Sequence, residues 1–291
     1  MRLTHRSQET TPLFDSGFSV LEVPINPAIV ALLLNEFDKK ILNLKTITQL
    51  VSLDPVLATR LLQITNSGFF QHQRCINSVS ESLAILKLRH VKSLVLVTAN
   101  QATFKSVPGI HLSQFWNYSA RVARLSRSLA GVIWQNQQAA YTAGLIHAMG
   151  QLAMHIYLPE QMTRLSVKSH PLHPGRSKAE VCAVGYTYAK VIAGFARKWH
   201  FPQQIVEALE HQCAPFENSV YEPLAGILHL ASWRARAEFS GFNGKELAVT
   251  FPGEVGEILH LDIDMVLQQD PLNWHKNAPG KHWPGYQSLN Y

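Results

Sequence analysis

Fourteen histidines stand in this chain of 291 residues, and imidazole is the side chain most often used to hold a metal ion. Their spacing decides whether that chemistry is on offer. His170 and His173 fall in a stretch rich in proline and glycine, His275 and His282 fall near the C-terminus, and no HExxH pair or CxxC…HxxxH frame occurs. Most therefore read as surface or hydrogen-bonded core residues. One segment differs: AGLIHAMGQLAMHIY sets His147 among Leu145, Ile146 and Met149, with Gly144 and Gly150 leaving room for a neighbouring backbone. An imidazole buried there needs a partner. Other catalytic patterns are missing, since no GxGxxG, GxxxxGKS or GxSxG string is present. Glu207 and Glu210 are three apart on an expected helix and fit a solvated face better than an acid pair. Asp262-x-Asp264 lacks the glycine and distal glutamate of a calcium loop. Cys75, Cys182 and Cys213 stand singly, so they make no disulfide framework or zinc knuckle and read as small core or partly buried side chains.

Helices must hold these residues, because helical periodicity and helix punctuation run from end to end. Asn26-Pro27 places a capping side chain before a proline at the first helical position, and Ile29, Leu32, Leu33, Phe37 and Ile41 then share one face. Asp54-Pro55 repeats the signal, with Leu57, Leu61, Leu62 and Ile64 buried and Asn66-Ser67-Gly68 as the stop. Ser78-x-x-Glu81 and Ser177-x-x-Glu180 are capping boxes, opening helices to Leu86 and to Trp199. An apolar run from Val91 to Ala102, a helix from Ser113 to Ala130 and a long stretch from Asn136 to about Leu158 lie between them. Phe201-Pro202 restarts the chain, and further helices are expected at 221–239 and 254–268. No alternating run is bounded as a strand. The sequence predicts an all-α fold of at least nine helices, with residues 1–17 as a polar lead and 271–291 as an irregular tail.

A hydrophobic share of 46% and a charged share of 16%, against a usual charged share of about a quarter, describe a well-buried globular chain. No apolar run is long enough to cross a bilayer, and MRLTHRSQETTPLFDSG has no secretory core, so a cytoplasmic, reduced protein is expected. The net charge of +6 is unevenly spread. No acidic residue occurs between Glu81 and Glu160, where Lys87, Arg89, Lys92, Lys105, Arg121, Arg124 and Arg127 stand, whereas Glu207 to Asp270 holds eleven acids against three bases. Either the two runs meet inside the molecule, or Lys87, Arg89, Lys92, Arg121, Arg124 and Arg127 form a basic face for an anionic partner. Phe115, Trp116, Tyr118 and Trp134 lie in the basic run at core-like helical positions, unlike the interleaved strip of a nucleic-acid binder.

Five blocks in order resemble a known family. LVSLDPVLATRLLQITNSGFF, INSVSESLAILKLRHVKSLVL, FWNYSARVA, AYTAGLIHAMGQL and EVCAVGYTYAKVIAGFARKWHFPQQIVEALEHQ are similar to the blocks of the HD-related output domain (HDOD), a non-catalytic relative of the HD metal phosphohydrolases of bacterial signalling. Lys87 stands where that family usually has glycine. The resemblance covers about residues 18–215, implying helical subdomains over 18–105 and 110–215, with 216–270 a helical extension that matches no family block. It also implies a former metal pocket. His147 keeps the histidine of the His-Asp dyad, but the aspartate is Ala148; Tyr118 and Tyr188 replace histidines, and of the last His-His pair His211 remains and Gln212 replaces its neighbour. Methyl and phenol groups cannot stand in for a carboxylate on a hard cation.

The resemblance thus implies a module with no catalytic residues and no bound cofactor or metal. Tyr118, His147, Tyr188 and His211 are expected to fill the old pocket and hydrogen-bond one another. The expected function is a signalling scaffold that binds a protein partner at a groove between the subdomains, near Arg121 and Arg124. A regulator binding a nucleotide or nucleic acid and a metal-dependent HD-type phosphohydrolase are the alternatives. The acidic helices after residue 216 would either cover the basic face or belong to the ordinary core.

Overall fold

The computed structural model describes residues 23–67, 75–101, 106–261 and 263–268. Among the described residues the protein is all-α, with one isolated backbone bridge between Val107 and Ile110 and no helix long and apolar enough to cross a membrane. Helices α1 (Pro27–Phe37), α2 (Leu44–Val51), α3 (Pro55–Thr65), α4 (Val79–Ile85) and α5 (Leu88–Gln101) form the N-terminal part. The middle holds α6 (Leu112–Val132), α7 (Gln137–Ile146), α8 (Met149–Tyr157), α9 (Pro159–Lys168), α10 (Arg176–Val184), α11 (Tyr188–Lys198) and α12 (Gln203–His211). Then follow α13 (Pro223–Phe239), α14 (Gly244–Thr250), α15 (Gly253–Ile258) and α16 (Ile263–Gln268). The polar lead, the tail, Gly68, Lys105, His275 and His282 lie outside the described residues.

The two Pro-led starts form as the sequence predicts, because each capping side chain takes an amide of the first turn that has no helical partner. Asn26 Oδ1 accepts from Ala28 N, and Asp54 Oδ1 from Val56 N and Leu57 N. The buried Asp54 also accepts from Asn26 N at 2.7 Å, so one carboxylate pins the starts of α1 and α3 together.

Elsewhere local punctuation yields to tertiary contacts. The first helix ends at Phe37, leaving Ile41 87% exposed, because the buried Glu36 carboxylate accepts from Asn43 N and turns the chain into α2, a helix the periodicity did not separate. Ser78 caps α4 through Glu81 N, but the Glu81 carboxylate reaches Asn77 N instead of completing the box at Ser78. Ser113 lies inside α6 with its hydroxyl on His111 Nδ1. Ser177 likewise lies inside α10, which stops at Gly185 with φ of +87°, and α11 starts anew on a Thr187 cap, so the expected helix to Trp199 is two. The Pro-led α9 and the Asn243-capped α14 were not expected, and 254–268 divides into α15 and α16. Trp134 is 94% exposed at a positive φ beyond the end of α6, not a core residue, and Cys75 and Cys182 are exposed while Cys213 is half-buried.

The core of the middle part is a stack in which α6 packs along α7 and α13, and α11 packs against α8 and α12. Helix α13 closes the stack against α6, α7 and α12 with Leu224, Ala225, Ile227, Leu228 and Ala231 buried, so it is a load-sharing piece of the same core. Two close crossings depend on glycine: a Cβ at Gly144 would stand 2.9 Å from Ala123 Cα, and one at Gly150 would stand 2.1 Å from the Tyr188 carbonyl oxygen.

Candidate functional site

The site grows from a break in the apolar stretch 136–158. Helix α7 ends at Ile146 and α8 begins at Met149, with His147 and Ala148 between them. His147 Nδ1 donates to the Gly144 carbonyl at 2.7 Å, the acceptor that the Ala148 amide would use in an unbroken helix. The break leaves the His147 carbonyl without its helical donor, and Gln212 Nε2 supplies one at 3.2 Å across 65 residues of chain. Gln212 is thereby a cap holding the end of α12 to the end of α7. A histidine at that position would present a ring of different reach and donor geometry.

Around this break the aromatic bodies pack as expected. The Tyr118 ring, from α6, lies 5.1 Å from the His147 ring and 6.0 Å from Phe239. Tyr118, His147, Ala148, Tyr188 and Gln212 are all buried. Among the described residues, the expected hydrogen bonds between the polar tips of Tyr118, His147, Tyr188 and His211 are not made. His211 ends α12 only half-buried, and among the described residues no hydrogen bond joins its imidazole to the other three. Another residue takes the centre: Arg236 of α13, 8% exposed, donates from Nη2 to the Tyr188 hydroxyl at 3.0 Å and lies 6.0 Å from the ring centres of both Tyr118 and Tyr188. No family block reaches Arg236. Its signal is helical spacing, four residues after the buried Ser232 and eight after the buried Leu228, which puts a cation on the apolar stripe of α13.

Burial and the guanidinium set the protonation states. His147 is driven down to about 3, chiefly by desolvation, with Arg236 adding to it against the Gly144 bond, so its ring is neutral at pH 7. Burial raises both phenols and the Cys213 thiol, which keeps all three protonated. Among the described residues, His147 Nε2, Gln212 Oε1, Arg236 Nε and the Tyr118 hydroxyl are buried without a hydrogen bond of good geometry.

The residues of the basic run divide between helices. Lys87 and Arg89 are exposed at the head of α5, Lys92 pairs with Asp38 at 3.1 Å, and Arg127 is exposed on α6. Arg121 is engaged: its Nε and Nη2 each donate to a Glu238 carboxylate oxygen at 2.6 Å, a bidentate pair across 117 residues. Here the acidic run meets the basic run inside the molecule. Arg121 and the partly buried Arg124 line a groove of about 310 Å³ with Ile29, Leu53, Trp116 and Phe239, between the N-terminal helices, α6 and α13. Of the acid pair, Glu210 takes Arg197 and Glu207 takes Gln203.

The family model of the HDOD domain matches residues 23–215, about two-thirds of the chain. The chain belongs to the HDOD domain family. This HDOD chain is 22% identical over 219 residues to an uncharacterised protein of Treponema pallidum (strain Nichols), which covers 74% of this chain and 42% of that protein. The chain spans less than half the length of that relative. Its fold is similar to the MmoQ response regulator of Methylococcus capsulatus str. Bath, with a TM-score of 0.67 and 18% identity over 86% of this chain and 98% of that one. It is also similar to a candidate phosphohydrolase of Shewanella amazonensis SB2B, with a TM-score of 0.51 and 24% identity over 90% and 93% of the two chains. These identities speak to the fold.

The HDOD fold raises the question of a metal, and the donors present do not fit one. Metal-assisted hydrolysis needs a divalent ion held by ligands such as carboxylates and neutral imidazoles. At the places where the family resemblance puts ligands, this chain has the Ala148 methyl, two protonated phenols, the Gln212 amide committed to the His147 and Leu209 carbonyls, and two imidazoles: His147, whose pKa the Arg236 charge helps to lower, and the half-buried His211 at the end of α12. Among the described residues, no three of His, Cys, Asp and Glu are placed to hold an ion together.

Proposed function

We propose that this HDOD chain is a non-catalytic signal-transduction module that works by binding a signalling protein partner. The observation that carries this reading is the buried Arg236 guanidinium against the rings of Tyr118 and Tyr188, with the Tyr118 ring in turn packed on His147. A divalent ion entering the same space would meet a fixed positive charge at close range in a low-dielectric surround, where like charges repel most strongly. The residues that a hydrolase spends on chemistry are here spent on packing α13 against α6, α11 and α12. The response-regulator name of the MmoQ protein supports a place in signalling.

The partner would meet the exposed cations Lys87, Arg89 and Arg127, whose charge suits an acidic protein surface and speeds association with one. A nucleotide- or nucleic-acid-binding regulator draws on the same basic run, but Arg121 already holds Glu238 there. The hydrolase reading draws on His147 and on the name of the Shewanella protein. Incubated with added Mn²⁺, the full chain is expected to release no product above background from nucleoside triphosphates, cyclic dinucleotides or a chromogenic phosphodiester. Turnover that disappears in His147→Ala would falsify the proposal.

A further inference from the structure

Beside the rebuilt centre lies a cavity of about 330 Å³, walled by α10, α11, α13 and the segment around α14. Its lining is largely apolar, with Trp233, Phe242, Pro174, Pro252 and Ala237 contributing, and Ser177, His229 and Ser232 add a few polar groups. Arg236 and Gln212 reach it from the centre. Both carry unmet demands. Among the described residues Arg236 makes one hydrogen bond of good geometry, to the neutral Tyr188 hydroxyl, and its Nε has none. Among the described residues no carboxylate pairs with it, and Glu180, which feels its charge, is already held by Arg176 Nε at 3.0 Å and Tyr188 N at 2.8 Å. A buried cation without a counter-ion is costly, and a fold that keeps one beside an open cavity gains when an anion enters. Gln212 Oε1, buried and without a donor among the described residues, asks for an N–H or O–H.

We propose that this cavity binds a small organic anion: a carboxylate or phosphate ester whose head pairs with Arg236, whose hydroxyl or amino group donates to Gln212 Oε1, and whose apolar body lies against Trp233 and Phe242. Such a site would make the HDOD chain a sensor. Because α13 supplies Arg236, Trp233 and also the Glu238 that holds Arg121, an occupant would act on the helix that borders the groove lined by Arg121 and Arg124. The proposal does not depend on the identity of any protein partner.

Calorimetric titration of the full chain tests it with 3-phenyllactate, its neutral amide, 3-phenylpropionate and phenyl phosphate. The expected result is saturable one-to-one binding of phenyllactate or phenyl phosphate, and the stronger of the two names the head group. The amide should bind at least tenfold more weakly than phenyllactate, and phenylpropionate, which lacks the hydroxyl, should fall between them. Arg236→Gln should remove the preference for the anion. Ser177→Phe, at a half-buried position on the cavity wall, should block binding with Arg236 intact and serves alone if the Arg236 variant does not fold. No saturable binding of any anion, equal binding of phenyllactate and its amide, or binding that survives Ser177→Phe would overturn the proposal.

Discussion

Arg176→Ala is expected to lower the unfolding free energy by about 3–5 kcal/mol, the range for removing one partner of a buried ion pair. Arg176 is 0% exposed and is the hub of the corner where α8, α9 and α10 meet. Its Nε donates to Glu180, its Nη1 to the Ser169 carbonyl and Ser166 Oγ, and its Nη2 to His155 Nε2 at 3.0 Å. His155 is fixed as the acceptor because its Nδ1 donates to the Pro108 carbonyl at 2.7 Å, and desolvation holds it down to about 4, so it stays neutral at pH 7. The loss exceeds the hydrogen bonds themselves because Glu180 is left buried with its charge uncompensated. Arg176→Met combined with Glu180→Gln should therefore be less destabilised than the sum of the two single changes, since no lone charge remains. Urea unfolding of the full chain measures both. A loss below about 1 kcal/mol for Arg176→Ala, the worth of an exposed pair, would show that the corner is not closed to water.

Gly150→Ala is expected to cost at least about 3 kcal/mol, at the upper end of what overpacking a core does. Helix propensity alone would predict the opposite sign, by roughly 1 kcal/mol in favour of alanine. The new Cβ would stand 2.1 Å from the Tyr188 carbonyl oxygen and 3.1 Å from Ile192 N, which are backbone atoms that no rotamer change can move. Helices α8 and α11 would have to separate, and Tyr188 would shift off Arg236. Gly244→Ala is the matched control: nothing lies within 4 Å of its added Cβ at the exposed start of α14, so stability should be unchanged or slightly raised. Equal melting temperatures for the two variants would refute the tight crossing.

The crossing was legible because two glycines in an otherwise apolar helical stretch have few other uses, and Gly144 and Gly150 both sit at backbone contacts. Asn26-Pro27 and Asp54-Pro55 were legible for a similar reason: a cap followed by proline is a local signal, and local chemistry decides it. The break at His147 and Ala148 was not, because apolar residues run through it without a change of period. Its cause is a side chain returning to Gly144 and an amide arriving from Gln212, both invisible to a window that reads neighbours. Ser177 and Glu180 look like a cap, yet the carboxylate is drawn to Arg176 and the Tyr188 amide, a burial-driven choice the motif does not encode.

The candidate site divides along the same line. The family resemblance draws attention to Tyr118 and His147 together, and the structure packs their rings 5.1 Å apart. The partner of that packing was not readable: Arg236 lies beyond the last matched block, and it enters the site only because α13 folds back along α6 and α12. Opposite charge runs announced that acid and base halves could meet. That Glu238 and Arg121 are the ones to do so depends on the same helix packing.

The claim that Arg236 has replaced a metal at the heart of the HDOD fold is tested most directly by metal retention. The full chain, equilibrated with Mn²⁺ and then dialysed against metal-free buffer, is measured by plasma mass spectrometry beside His147→Ala. The account predicts that neither protein keeps manganese above the level of the buffer. One or more ions held per wild-type chain and lost in His147→Ala would contradict it.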